Sequence, residues 1–257
     1  VGDRGSGAVF FAHCALGCVY CQNKRLAEGE GVEITQERLR EILLELQNEQ
    51  RAANINLVTA SHYAPSVAEV LRELRASGAL HIPVVWNTSG YESAQTLALL
   101  EGLVDIYLVD FKYSNPTTAQ RLSRASDYVG VALAAIEQMI EQTGAPRSSE
   151  EGYLERGVIV RHLVLPGYVD DSLAALDLLY PRIRGRALLS IMNQFTIVDE
   201  TLDVRAYGLE RAVSDEAYER VLDHADELGF EDYFWQEGGA ASESFVPAFD
   251  GTGVLVP

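Results

Sequence analysis

"AVFFAHCALGCVYC", Ala8 to Cys21, decides how the rest of this chain is read. Its first half is a run of apolar residues that predicts a β-strand over Ala8–Cys14. Its second half spaces three cysteines as Cys14-x3-Cys18-x2-Cys21, and these are the only cysteines among 257 residues. Buried structural cysteines would be scattered over the apolar positions, so a cluster in one loop demands a local chemical reason. Three thiolates on one loop can bind a metal centre and leave one coordination position open. Structural zinc is normally closed by four ligands, and only His13 stands beside these three. Iron–sulfur clusters are held by thiolates, and a cubane gripped by three of them keeps one iron free. An odd cysteine count argues against a disulfide framework, and reduced thiols suit the cytosol.

Further strands are predicted over Ile55–Ala60, Ile82–Gly90, Ile106–Lys112, Val158–Pro166 and Ala187–Phe195. Helical spacing of apolar residues marks Thr35–Gln50, Pro65–Gly78 and Ser214–Gly229 among the segments between them. Thr35 and Ser214 read as N-caps, and Gly78 and Gly229 sit where helix ends want a left-handed residue. Near-continuous apolar strands alternating with amphipathic helices predict an α/β fold with a parallel sheet. Six such units make a partial (β/α)6 barrel, with the active site at the C-terminal strand ends. A doubly wound open sheet is the alternative, although no G-x-G-x-x-G turn follows the first strand. No composition break divides the chain, so residues 1–257 are expected to form a single barrel domain with 235–257 as an irregular C-terminal tail. Residues 144–157, "GAPRSSEEGYLERG", read as an exposed connection.

A formal net charge of −18 with dispersed basic residues predicts no nucleic-acid partner. No apolar run approaches the roughly 20 residues of a membrane span, so no membrane association is expected and the localisation expected is cytoplasmic. The chain opens on Val1-Gly2-Asp3-Arg4 without a methionine or a signal-like stretch, which leaves room for residues upstream.

If the barrel reading is right, polar residues should gather at the strand ends, and they do. Thr59, Ser61 and His62 follow the second strand; Asn87, Thr88 and Ser89 end the third. Asp110 and Lys112 end the fourth, Arg161 and His162 lie on the fifth, and Asn193 and Gln194 end the sixth. Asp110 and Lys112 are two apart and share a strand face, as an ion pair filling the barrel or as ligand contacts. Arg161 on an apolar strand should meet an anion, either a substrate carboxylate or Asp110. His62 reads as a base, a hydrogen-bond donor to substrate or a capped loop histidine. His162, next to Arg161, points to the opposite face.

The spacing C-x3-C-x-aromatic-C, with Tyr20 as the aromatic, after the first strand of a partial barrel resembles the radical S-adenosylmethionine superfamily. The resemblance implies that Cys14, Cys18 and Cys21 hold a [4Fe-4S] cluster whose free iron chelates S-adenosylmethionine. "NTSGY" (Asn87–Tyr91), "VDFK" (Val109–Lys112) and "VRHLVLPGYVDD" (Val160–Asp171) look like motifs of pyruvate formate-lyase activating enzymes and their uncharacterised activating-enzyme-like relatives. By that likeness Asn87, Asp110, Lys112 and Arg161 help hold the methionine end of the nucleotide or the substrate, and Tyr20 lies by the adenine. Lys112, Arg161 and His62 are the candidate catalytic side chains. The family's Gly-Gly-Glu type turn is replaced by "TASHYAP" (Thr59–Pro65), where the backbone, Ser61 or His62 takes its place.

The function implied is reductive cleavage of S-adenosylmethionine and hydrogen abstraction from a substrate. A flavodoxin- or ferredoxin-type protein is the implied reductant, and a glycyl-radical enzyme is the implied partner if the chain is an activase. Direct modification of a small molecule or peptide is the second reading; the absence of further cysteines disfavours members with an auxiliary cluster. A non-catalytic iron–sulfur redox protein is the reading from another class, for which the row of strand-end polar groups is superfluous.

Overall fold

The computed structural model of the chain describes residues 4–195, 204–236 and 253–254. The strands are β1 (Gly7–Phe10), β2 (Ile55–Val58), β3 (Val84–Thr88), β4 (Ile106–Asp110), β5 (Arg147–Ser148), β6 (Leu154–Leu163), β7 (Leu188–Met192) and β8 (Tyr233–Phe234). The helices are α1 (Lys24–Ala27), α2 (Gln36–Asn48), α3 (Ala64–Ala76), α4 (Ala94–Leu100), α5 (Pro116–Ser123), α6 (Tyr128–Thr143), α7 (Val169–Ile183) and α8 (Asp215–Leu228). Local signals set several of their ends. The Thr35 hydroxyl accepts from the Arg38 N–H, and the Ser214 hydroxyl accepts from the Ala217 N–H. Gly229 closes α8 at φ 89°.

The sheet order is β1-β2-β3-β4-β6-β7-β8, with each of these pairs parallel. Strands therefore add in one direction only. A doubly wound sheet reverses its order at a switch point, and this sheet does not. The winding is that of a barrel. β1 and β8 stand at opposite ends of the order and do not pair among the described residues. Six strands stand where they were expected, although the first ends at Phe10 and not at Cys14, and β8 adds a short seventh to the parallel set. The expected connection at 144–157 is a correction in part: β5 pairs antiparallel with the start of β6, which lengthens β6 to ten residues.

The strands read as apolar runs because both faces are covered. On β3, Val84, Val85, Trp86 and Thr88 are all buried, with Trp86 wholly so. The register places Asp110 opposite Arg161 and Val58 opposite Asn87, so the strand-end polar residues come level at one rim. Tyr107, Tyr113 and Tyr128 are fully buried; the Tyr128 hydroxyl lies 2.9 Å from the Ser89 and Asp110 carbonyls at the rim, and that of Tyr113 2.6 Å from Ser123 of α5.

Candidate functional site

The cysteine loop leaves β1 and is tied down at both sides. The buried Leu16 side chain anchors it in the core, and the His13 N–H donates to the Leu26 carbonyl at 2.7 Å. The Gly17 N–H donates to the Ser123 carbonyl at 3.3 Å and the Val19 N–H to the Leu122 carbonyl at 2.9 Å. These carbonyls belong to the last turn of α5, where helix geometry leaves acceptors free. All three cysteines are free and half-buried. Burial pushes the Cys14 thiol up and the Cys21 thiol up to about 11, with the charge of Cys18 adding to each. Lys112 pulls both back toward the thiolate, which puts the β4 end in electrostatic reach of the loop.

Among the described residues no three His, Cys, Asp or Glu side chains gather around a point that could hold one metal ion. A closed structural zinc takes four ligands, whereas the loop itself offers three thiols. Three free thiols on one short loop suit a multi-iron cluster, whose thiolates sit at separate corners. Ligation requires the thiolate forms that burial disfavours, so binding would release protons.

A second group stands at the ends of β3, β4 and β6. Asp110 accepts from Lys112 Nζ at 2.7 Å through one oxygen and from Arg161 at 2.7 Å through the other. Arg161 also donates to Asn87 Oδ1 at 2.8 Å. Burial alone would raise the Asp110 carboxyl, but Arg161 and Lys112 outweigh it and hold it below the usual range. Burial likewise opposes the Lys112 charge, and Asp110 overcomes that. Two cations thus share one carboxylate. Arg161 Nε is buried with no partner, so the group has both a surplus positive charge and an unused donor. Asn87, Asp110, Lys112 and Arg161, singled out from sequence, are brought together.

Other candidates lie apart from that group. The Ser61 hydroxyl is spent on Glu92, to which it donates at 2.5 Å. His62 is exposed, its ring 6.2 Å from that of His13. Ser61 and His62 line a groove of about 570 Å³ that also touches Ala15, Tyr91 and α6. Tyr20 donates or accepts at 2.7 Å with the Tyr113 hydroxyl and packs edge-on against Phe195. His162 is buried with Nδ1 2.7 Å from the Phe111 carbonyl, on the face away from Asp110. The Asn193 backbone N–H donates to Gln236 Oε1 at 3.0 Å, Gln236 donates to Gln194 Oε1 at 2.9 Å, and Gln22 of the loop donates to the Gln194 carbonyl at 3.3 Å.

Sequence reasoning missed Glu92, Ser123 and Tyr113. Glu92 is 4% exposed, and one of its oxygens accepts from Ser61, from Trp86 Nε1 at 3.1 Å and from Thr88 Oγ1 at 2.6 Å. It ties β3 to the 3-10 turn Ala60–Tyr63, which follows Thr59 in a left-handed conformation at φ 60°. The turn lies within Thr59–Pro65, the stretch expected to stand in for a Gly-Gly-Glu type turn. Beside it Gly90, at φ 81°, passes so near the Asp110 carbonyl that a Cβ there would collide with it.

The fold is similar to that of a radical SAM methyltransferase from Sphaerobacter thermophilus: TM-score 0.62 and 14% identity, covering 93% of this chain and 68% of that one. Streptococcus suis SuiB, in a structure bound to precursor peptide SuiA, gives TM-score 0.58 and 10% identity, covering 93% of this chain and 51% of that one. At these identities the likeness is one of fold. In sequence, an uncharacterized protein of Methanocaldococcus jannaschii is 26% identical over 198 residues, 74% of this chain and 53% of the relative. The chain thus spans about half the length of that curated relative. A family model, the Radical SAM superfamily, matches residues 9–179, from β1 through most of α7 and so across both the cysteine loop and the Asp110 group. With that match the chain belongs to the Radical SAM superfamily.

Proposed function

We propose that this chain is an enzyme that uses a [4Fe-4S] cluster on Cys14, Cys18 and Cys21 to cleave S-adenosylmethionine reductively. The carrying observation is the pairing of three free thiols on a fixed loop with a strand-end group, Asp110, Lys112 and Arg161, that bears a surplus positive charge and an unused Arg161 donor. When bound, the reduced cluster supplies one electron to the sulfonium nucleotide and so the radical that abstracts hydrogen from substrate. Arg161 would meet the carboxylate end of the nucleotide, and Asp110 orients Arg161 for it by holding the guanidinium beside Asn87. Lys112 balances Asp110 and favours the thiolate forms of the loop. The Ala60–Tyr63 turn, held by Glu92, offers its backbone where the family uses Gly-Gly-Glu. His62, in the groove outside this group, is a substrate contact in this scheme. Tyr20, held by Tyr113 and Phe195, would lie by the adenine.

The further reading is an activase that acts on a glycine backbone carbon of a glycyl-radical enzyme, fed by a flavodoxin- or ferredoxin-type reductant in the cytoplasm. Motif likeness supports it, and a mouth left open at the strand ends would admit a segment of another protein. Modification of a small molecule or peptide is the second reading, and a tail folded over that mouth would favour it. The tail expected at 235–257 lies outside the described residues apart from 235–236 and 253–254. One parallel path from β1 to β8 supports a single domain over 1–257.

Anaerobic reconstitution followed by an assay for 5′-deoxyadenosine tests the proposal. Iron-loaded protein should form it with reductant, and Cys14→Ala, Cys18→Ala or Cys21→Ala should each abolish it. Tetrahedral zinc in oxygen-protected material, or undiminished product from a cysteine variant, overturns the reading.

A further inference from the structure

A chain of hydroxyls runs through the protein to one cysteine. The Tyr20 hydroxyl lies 2.7 Å from that of Tyr113, Tyr113 lies 2.6 Å from Ser123 Oγ, and Ser123 Oγ lies 2.9 Å from Cys18 Sγ. Ser123 is 1% exposed and Tyr113 wholly buried, so water does not compete for these bonds. The backbone fixes the geometry as well: Gly17 and Val19, the neighbours of Cys18, donate to the carbonyls of Ser123 and Leu122. Arg124 then ends α5 in the left-handed region at φ 59°. The end of α5 is thus docked on the loop with its last side chain at the middle sulfur.

We propose that Ser123 sets the reduction potential of the centre held by the loop, by donating a hydrogen bond to the Cys18 sulfur. The inference rests on reading Cys18 as a cluster ligand. A ligated thiolate carries no proton, so it can only accept. Ser123 must then donate to it, which leaves the Ser123 oxygen to accept from Tyr113, and the Tyr113 oxygen to accept from Tyr20. Ligation therefore orients all three hydroxyls one way, and each donor strengthens the next. A donor at a ligand sulfur withdraws negative charge and favours the reduced, more negative cluster. The three thiolates are not equivalent in this respect. Cys14 receives a backbone N–H, from Leu16 at 3.4 Å, which no side-chain substitution can remove. Cys18 has a side-chain donor backed by two more hydroxyls.

The test is a redox titration of the anaerobically reconstituted full chain, followed by EPR, with iron and sulfide counted in each sample. Ser123→Ala should keep its iron and move the midpoint to more negative potential. Tyr113→Phe, which leaves Ser123 donating but unsupported, should move it the same way by less. Pulsed EPR after exchange into D2O should show an exchangeable proton coupled to the wild-type cluster that is absent in Ser123→Ala. An unchanged midpoint in Ser123→Ala with full iron overturns the proposal. If Ser123→Ala loses iron, an unchanged midpoint in Tyr113→Phe overturns it instead. A wild-type chain that takes up no cluster sinks the cluster reading itself, a result distinct from either.

Discussion

Asp110 and Arg161 are direct register partners across β4 and β6, and their carboxylate and guanidinium meet at 2.7 Å on the inner face of the rim. Lys112 shares the same carboxylate from two residues further along. One anion therefore organises two cations from two strands, and the arrangement separates what holds the fold from what awaits a ligand.

Arg161→Lys tests the ligand half. A lysine retains the charge but loses the planar fork, the reach to Asn87 and the spare Nε. Nucleotide binding to iron-loaded protein, measured by equilibrium dialysis, should weaken at least about tenfold, the effect of one charge-assisted bond at about 1.4 kcal/mol. Iron content should not change. Binding as tight as wild type would remove Arg161 from the site.

Asp110→Asn tests the fold half. It leaves two cations side by side in a mostly buried place with their shared anion gone. Breaking a buried pair on one side costs about 3 to 5 kcal/mol, and the residual exposure of these side chains puts this case near the lower end. Urea denaturation should show that loss, and Asp110→Asn with Lys112→Met should recover part of it. Additive losses in the double variant would mean that the two residues do not act as a pair.

Much of this was legible in the sequence, and the limits are physical. Strands covered on both faces appear as apolar runs, so the strands expected over Ile55–Ala60 and Ile106–Lys112 are found, each two residues shorter at its C-terminal end, at Ile55–Val58 and Ile106–Asp110. Caps are local, and Thr35 and Ser214 act as their residue types predict. Asn115-Pro116 also carries a start signal, an Asn cap before a proline in the first turn, yet the eight residues of α5 are too few for a clear period. In α6 an excess of apolar residues blurs the polar face that would reveal it. Ser123 had no signal at all: it meets Cys18 across 105 positions, a contact made only by tertiary packing. Glu92 looked like one acidic residue among 38 acidic residues until burial and three donors distinguished it.

Glu92→Ala should expose that role. Ser61, Thr88 and Trp86 would lose their shared acceptor in a buried place, at about 1 to 3 kcal/mol for each donor left wholly unpaired. Hydrogen exchange should then accelerate in the Ala60–Tyr63 turn more than in α3 behind it. Paired with Ser61→Ala, the two losses should fall short of their sum by about 1 kcal/mol, because each removes the same bond. Strict additivity would show that Glu92 does not hold the turn through Ser61.

His162 makes stability depend on pH in a defined window. Burial lowers its folded value from 6.5, with the bond to the Phe111 carbonyl opposing in part, and Nε2 has no partner to welcome a proton. Above pH 6.5 the ring is neutral in both states and contributes no slope. As the pH falls below 6.5 the unfolded chain binds a proton that the folded chain refuses, so stability declines until the lowered folded value is reached. The many carboxylates add their own slope at lower pH, so the comparison must be with His162→Gln, which keeps a polar side chain without the titration. Urea midpoints for the two proteins should run parallel from pH 8 to about 7 and then converge or cross as wild type falls faster. Parallel curves down to pH 5 would mean that His162 is protonated as readily in the folded chain as out of it, and that its place behind the rim is wetter than the packing around Phe111 implies.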